Sequence, residues 1–401
     1  MLQPLLGSQV PIEQSFFRIP RISARIAGFW PQPAVRPRTW LTVLRFCVNT
    51  FAVAVGGFGE VTYGFFYLYD LFSALEAFCP GVTKVISLLK MTIFFGRHER
   101  WQRVIHGLHT LLLLDTSAGK RRIMEPLASF ASVLSFVLLA SGSLTNTFFN
   151  VLPLLKMAYF KWRALDMQLL LPFNVILPEV LVNLPYYPAT YLVLTLSGAM
   201  TVFTFSAVDG FFLCACVYAT ALFRILQHDI RNAFAELQEQ ESSSFEQNMR
   251  IQHRLSVLVE RHNKIIDLCS DFAAEFSLII LMHFLSAALV LCFSILDLML
   301  NSASIGVLIY IFYSIAALTQ LVLYCIGGTY VSESSLSIAE VIYDVDWYKC
   351  DVRTRRMLLL MMCRAQRAKT IAVPFFTPSL PAFRSIVSTA GSYITLLKTF
   401  I

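Results

Sequence analysis

The chain has 401 residues, 57% of them hydrophobic and 14% charged, and because soluble domains average about 25% charged residues this excludes an ordinary soluble protein. The net charge of +7 would suit a nucleic-acid binder, but the basic residues fall between apolar blocks instead of forming one patch. That is the positive-inside pattern of a membrane protein, and no nucleic-acid partner is expected. Cys47, Cys79, Cys214, Cys216, Cys269, Cys292, Cys325, Cys350 and Cys363 form no CxxC pair and no regular spacing. Neither a disulfide framework nor a metal site is expected, and the sequence calls for no cofactor.

The tail, 1–38, carries Arg18, Arg21, Arg25, Arg36 and Arg38 against Glu13 and is broken by Pro4, Pro11, Pro20, Pro31, Pro33 and Pro37. It reads as a cytosolic lead-in, part of it lying along the bilayer. No apolar core with a cleavage site is found in its first thirty residues, so the first span is expected to direct insertion. That span covers about 40–66, with Gly56, Gly57 and Gly59 as close-packing positions. The second, about 71–95, is interrupted by Pro80 and Gly81 and contains Glu76, Lys84 and Lys90. Ionisable groups inside a span are functional candidates, although Lys90 lies near enough to the inner end to snorkel.

A loop with Arg97, Arg100, Arg103, Lys120, Arg121 and Arg122 precedes the third span, about 126–150, and a proline-rich stretch too polar to cross follows it. The fourth block, 189–223, is 35 residues without Lys or Arg. At 1.5 Å per residue it is about 50 Å long against a hydrocarbon core of about 30 Å, so it must tilt or project. A charged, helix-favouring segment from Arg224 leads into the fifth span, about 268–300; a turn at Asn301 and Ser302 starts the sixth, about 303–331. After a basic amphipathic segment, Asp344 to Lys369, comes the seventh, about 376–401.

In that last span Ser385, Ser388, Ser392, Thr395 and Thr399 step by 3, 4, 3 and 4, one stripe of a helix that is otherwise mostly apolar. Such a stripe lines an aqueous pore or lets helices pack closely; the spacing alone leaves both open. The expected architecture is all-α, a single seven-transmembrane-helix domain over 1–401 with a cytosolic N-terminus and an extracellular C-terminus. Placing the N-terminus inside assigns 24 of the 32 Lys and Arg to inner loops. The same asymmetry opposes a G-protein-coupled receptor, and neither a DRY after the third span nor an NPxxY in the seventh occurs. Nor is there an HExxH, GxSxG or P-loop, so no enzyme is expected. A secondary transporter would more often show internal repeats, and none is found.

The C-terminal third resembles the insect odorant receptors. The resemblance is carried by Cys325, Gly328, Ser334, Ser335, Ala339, Tyr343, the Trp347-Tyr348 pair, Arg353, Arg355, Arg356 and Arg364-Ala365-Gln366. It continues through Phe376, Pro378-Ser379-Leu380, Phe383 and the run from Ser392 to Leu397, with looser similarity at His262, Asp209, Phe211 and Pro172-Phe173. The family's gustatory relatives share the fold but usually end with threonine before the tyrosine and a terminal Gln-Phe, where this chain has Ser392-Tyr393 and Thr399-Phe400. A gustatory-type channel subunit is therefore the alternative. The chain resembles the odorant-tuning subunits more than the longer co-receptor.

The resemblance implies a multi-pass subunit of the olfactory neuron dendrite membrane that joins co-receptor subunits in a heterotetrameric, nonselective cation channel opened by a small, volatile, mostly apolar odorant. It implies a shared pore lined by Ser385, Ser388, Ser392, Thr395, Leu396 and Thr399, with Leu396 in the constriction by way of Tyr393. It also implies a cytosolic helical anchor in which Trp347, Tyr348 and Arg364 meet neighbouring subunits. The odorant site is expected among the outer halves of spans two to six, where the aromatic and hydroxyl candidates are Tyr69, Phe72, Thr145, Phe149, Tyr191, Thr195 and Tyr313; each is equally a packing residue on sequence alone.

Overall fold

The computed structural model describes residues 16–31, 39–113, 118–163, 169–238, 244–300 and 307–398. Apart from one isolated bridge between Val373 and Phe376, the secondary structure of these residues is helical. In chain order the helices are α1 (Arg18–Ala27), α2 (Trp40–Phe66), α3 (Leu71–Gly96), α4 (His98–Leu113), α5 (Ala118–Trp162) and α6 (Glu179–Val182). They continue with α7 (Tyr187–Gln238), α8 (Ser244–Leu300), α9 (Val307–Asp344), a 3-10 turn (Trp347–Lys349), α10 (Val352–Ala365) and α11 (Leu380–Lys398). Among the described residues, α2, α3, α5, α7, α8 and α9 are long and apolar enough to cross a membrane. In α11, side chains are described only as far as Ser392.

The helices run past the apolar blocks that reveal them. At 1.5 Å per residue the 52 residues of α7 span about 78 Å, more than twice a hydrocarbon core. The surplus of α7, α8 and α9 joins α4 and α10 in a second, polar layer at one end of the bundle. Arg261 donates to Asp229 at 2.8 Å, Lys120 reaches the same carboxylate at 3.3 Å, and Gln227 donates to the Ser334 carbonyl at 2.9 Å. Helix α7 is the central element: 89% of its apolar window is buried, against 28% in α5. Three of its buried hydroxyls, those of Thr201, Thr204 and Thr220, donate to the carbonyl four residues back.

Several expectations change in the structure. Pro80 and Gly81 do not interrupt the second span; α3 is continuous through them, and the Thr83 and Tyr313 hydroxyls both bond the Cys79 carbonyl beside the proline. The arginine-bearing segment after Phe17 is a helix packed on the bundle. It is α1, docked against α7, with Phe16, Phe17, Ala24 and Ala27 in the core and Ser23 bonded to Ser206. Gly28 ends α1 at φ +92°, where its N–H and that of Phe29 both cap the Ala24 carbonyl.

Lys90, finally, does not snorkel. It is 1% exposed and held inside the bundle by Asp209. The turn expected at Asn301 and Ser302 lies outside the described residues. The last helix begins at Leu380 rather than 376, because 373–376 form the bridge that turns the chain back into the bundle.

Candidate functional site

Between α3, α5, α7, α8 and α9 lies a cavity with about 820 Å³ of space between atoms, including its mouth. Small residues line it, namely Gly142, Gly198, Ala287, Ala316 and Ala317, and at Gly142 and Gly198 the missing Cβ lets the Val202 and Asn146 side chains approach closely. Phe149, Phe173, Phe205 and Tyr313 wall it, with Phe149 and Phe173 stacked at 5.1 Å and Tyr313 edge-on to Phe149 at 6.0 Å. An apolar, largely preformed space with a few fixed polar groups is the usual form of a small-molecule site.

Two buried ion pairs support this wall. Lys84 Nζ bonds Glu60 of α2 and lies 3.6 Å from the centroid of the Phe173 ring. The glycines foreseen as close-packing positions let the helices meet there, for a Cβ at Gly57 would stand 3.1 Å from Lys84 Cβ. Lys90 Nζ bonds Asp209 Oδ1 at 2.6 Å and contacts His283 Nδ1 at 3.3 Å, while the Tyr324 hydroxyl donates to the same carboxylate oxygen at 2.6 Å. His283 stacks on Tyr324 at 4.7 Å and borders the cavity.

Of the expected odorant-site residues, Thr145, Phe149 and Tyr313 come together in this cavity. Tyr191 and Thr195 do not line it; they bond the Asn150 carbonyl at 2.5 Å and the Asn150 side chain at 2.7 Å, stitching α7 to α5. Tyr69 is 82% exposed in the turn between α2 and α3, and the Phe72 side chain lies outside the described residues. Of the charged candidates Lys84 reaches the cavity, whereas Glu76 accepts from Asn174 at 2.9 Å and ties α3 to the segment before α6. Glu60, His283 and Phe205 were not singled out from sequence. A lone acid inside an apolar run was the available signal for Glu60.

On α11, Ser385, Ser388 and Ser392 are exposed, while Phe383 and Ile386 pack against the core. Thr395 and Leu396 lie on the same helix with side chains outside the described set, and Thr399 is beyond it. The start of α11 is fixed to α9: Leu380 N–H donates to Thr329 Oγ1 at 3.1 Å, and Phe376 packs on Phe284 at 4.6 Å. Trp347 is half-buried against the core, and Tyr348 and Arg364 are exposed.

Long apolar helices closing a cavity within their membrane-crossing portions define a multi-pass α-helical membrane protein with an internal cavity. The family profile described as 7tm Odorant receptor matches residues 70–391. Among curated relatives, Odorant receptor 22c of Drosophila melanogaster is 52% identical, covering 98% of this chain and 99% of its own, and Odorant receptor 10a of the same organism is 34% identical, covering 96% of each. The fold matches that of the insect olfactory receptor OR5 from Machilis hrabei in complex with eugenol, with a TM-score of 0.79 at 15% identity over 97% of this chain and 99% of that one. The chain belongs to the seven-transmembrane odorant receptor family, and is a receptor rather than an enzyme.

Proposed function

We propose that the protein is the odorant-binding subunit of a heteromeric, ligand-gated, nonselective cation channel completed by co-receptor subunits in a heterotetramer, in the dendrite membrane of olfactory neurons. The observation that carries this reading is the two-sided terminal helix. Phe383 and Ile386 pack against the core, while Ser385, Ser388 and Ser392 are exposed. An exposed hydroxyl row on a membrane helix suits water and other subunits better than lipid.

In this reading Ser385, Ser388, Ser392, Thr395 and Thr399 line a shared pore, and Leu396 supplies an aliphatic constriction that closes by dewetting. Hydroxyls without acidic groups give weak, multi-site ion contact and so little discrimination among cations. Thr145, Phe149 and Tyr313 contact a small, mostly apolar odorant in the cavity; the OR5 structure of the same fold is a complex with eugenol. Trp347, Tyr348 and Arg364 form intersubunit contacts in the helical anchor.

The test is expression with and without the co-receptor, recording currents over an odorant panel while external sodium is exchanged for potassium and for a large organic cation. Odorant-evoked current that needs both subunits and passes sodium and potassium alike is expected. A normally inserted protein that gives no odorant-evoked current with the co-receptor would overturn the reading.

A further inference from the structure

The cavity's hydroxyls have already spent their protons. Thr83 and Tyr313 donate to the Cys79 carbonyl, Thr145 to Ser141, Thr201 to Ser197 and Ser286 to His283, each to a backbone oxygen. Toward a ligand they therefore offer lone pairs. The Lys84 ammonium is engaged by Glu60 and covered by the Phe173 ring. The amides of Asn146 and Gln320 are half-buried, so water can serve them at little cost.

His283 differs from all of these. It is 2% exposed, and its Nδ1 faces the Lys90 ammonium at 3.3 Å. An ammonium can only donate, so Nδ1 must be the accepting nitrogen and the proton of the neutral ring sits on Nε2. Nε2 is buried and has no hydrogen-bond partner among the described residues, on a ring that borders the cavity. The Asp209–Lys90 pair and the stacked Tyr324 fix the ring, and hence the tautomer.

From this geometry we infer that His283 Nε2–H is the specificity-determining donor of the cavity, and that the ligands it selects are compact, mainly apolar molecules carrying one acceptor oxygen, such as ketones, esters or ethers. This rests on the odorant-receptor reading above and narrows it. A hydrocarbon of the same shape fills the apolar walls but leaves a buried N–H unpaired, whereas a carbonyl satisfies it. A carboxylic acid pays for desolvating its charge, and the Lys84 ammonium that lines the cavity is already paired with Glu60.

The experiment uses the full chain with the co-receptor and shape-matched pairs that exchange C=O for C=CH2: acetophenone with α-methylstyrene, and cyclohexanone with methylenecyclohexane. In the wild type the ketone is expected to act at a concentration about tenfold lower than its partner, the size of one neutral hydrogen bond. His283→Phe, which keeps an aromatic ring and removes the donor, should bring the members of each pair within about twofold while the alkene response persists. His283→Gln places an amide N–H near the Nε2 position and should keep the preference. Equal wild-type potencies, or a preference that survives in His283→Phe, would overturn the inference and leave the receptor reading standing. Silence of the wild type to every odorant tested, with normal surface expression and co-assembly, would overturn that reading instead. If His283→Phe does not reach the membrane, the wild-type pairs and His283→Gln still decide.

Discussion

Removing Glu60 alone should be far more harmful than removing Glu60 and Lys84 together. The two side chains are 0% and 2% exposed and pair with one another, so Glu60→Leu strands an ammonium inside the bundle. Breaking a buried pair from one side costs about 3–5 kcal/mol. An unfolding entropy of about 2.1 cal/mol/K per residue gives ~0.8 kcal/mol/K for 401 residues, so the loss corresponds to a drop of about 4–6 °C in Tm. Glu60→Leu with Lys84→Met removes both desolvation penalties. The pair is also incompletely satisfied, since Glu60 Oε2 has no hydrogen-bond partner among the described residues. The double variant should therefore melt within about 2 °C of wild type, a coupling well outside additivity. The assay is gel filtration of the detergent-solubilised, fluorescently tagged protein after heating, with one heating rate for all variants. A Glu60→Leu protein that melts with the wild type, or a double variant no better than the single, would refute the view that the pair matters through uncompensated charge.

Cysteines placed singly at Ser385, Ser388 and Ser392 should react with a charged thiol reagent at least about tenfold faster than one at Ile386, because a hydrated thiol ionises and one packed in apolar surroundings does not; the exposed native Cys47, Cys292 and Cys363 must first be replaced. Equal rates would make the hydroxyl row a packing surface. Gly28→Ala should lower Tm, since φ is +92° and the added Cβ would lie 2.8 Å from the Phe46 amide nitrogen; an unchanged Tm would mean that α1 contributes nothing to stability. Asp351 caps α10 by accepting from Arg353 N–H at 3.2 Å and Thr354 N–H at 3.3 Å, and Gln252 of α8 donates to it at 3.0 Å. Asp351→Ala should cost about 1 kcal/mol at neutral pH, read from the same melts. The Thr354 hydroxyl, followed by the backbone donors and Gln252, holds the Asp351 carboxyl below its ordinary range despite slight desolvation. Its contribution is thus complete above the ordinary value of about 3.9 and is lost as pH falls through the lower folded value. The gap between wild type and Asp351→Ala should narrow only in that acid window, and a gap that narrows between pH 5 and 7 would contradict the assignment.

What could be read from the sequence was what is written locally. Apolar runs gave the cores of the six described spans, the length of α7 gave its projection, and glycine at 56, 57 and 59 gave the close approach of α2 to its neighbours. Helix ends were less legible, because α8 begins at Ser244 in charged sequence whose periodicity is polar. Pairings across the bundle were hidden altogether. Lys90 looks like a snorkelling residue until Asp209 is known to face it, and nothing in the spacing links two residues 119 apart. Thr145, Phe149 and Tyr313 were identifiable as aromatic or hydroxyl side chains at the right depth, but Tyr191 and Thr195 share those traits and differ only in which neighbour α7 turns them toward. The docking of α1 was equally invisible, since arginines on a proline-broken tail look the same beside a bilayer as against a bundle.

Lys84 and Lys90 also differ in when their partners are made. Glu60 is 24 residues ahead of Lys84, so the hairpin of α2 and α3 can enter the bilayer with that charge already neutralised. Asp209 follows Lys90 by 119 residues and Tyr324 follows Asp209 by a further 115. At a synthesis rate of about 5–20 residues per second, Lys90 waits roughly 6–24 s for its carboxylate and about as long again for the hydroxyl that completes the set. A lone lysine costs about 2.5–3.5 kcal/mol at a helix centre and less toward an end, where Lys90 sits, so α3 is held in the nascent chain at some disadvantage until α7 arrives. Biogenesis of this receptor therefore has a vulnerable interval set by the distance between two charges in the chain, during which a membrane chaperone or a quality-control protease meets an unfinished bundle with a bare ammonium inside it.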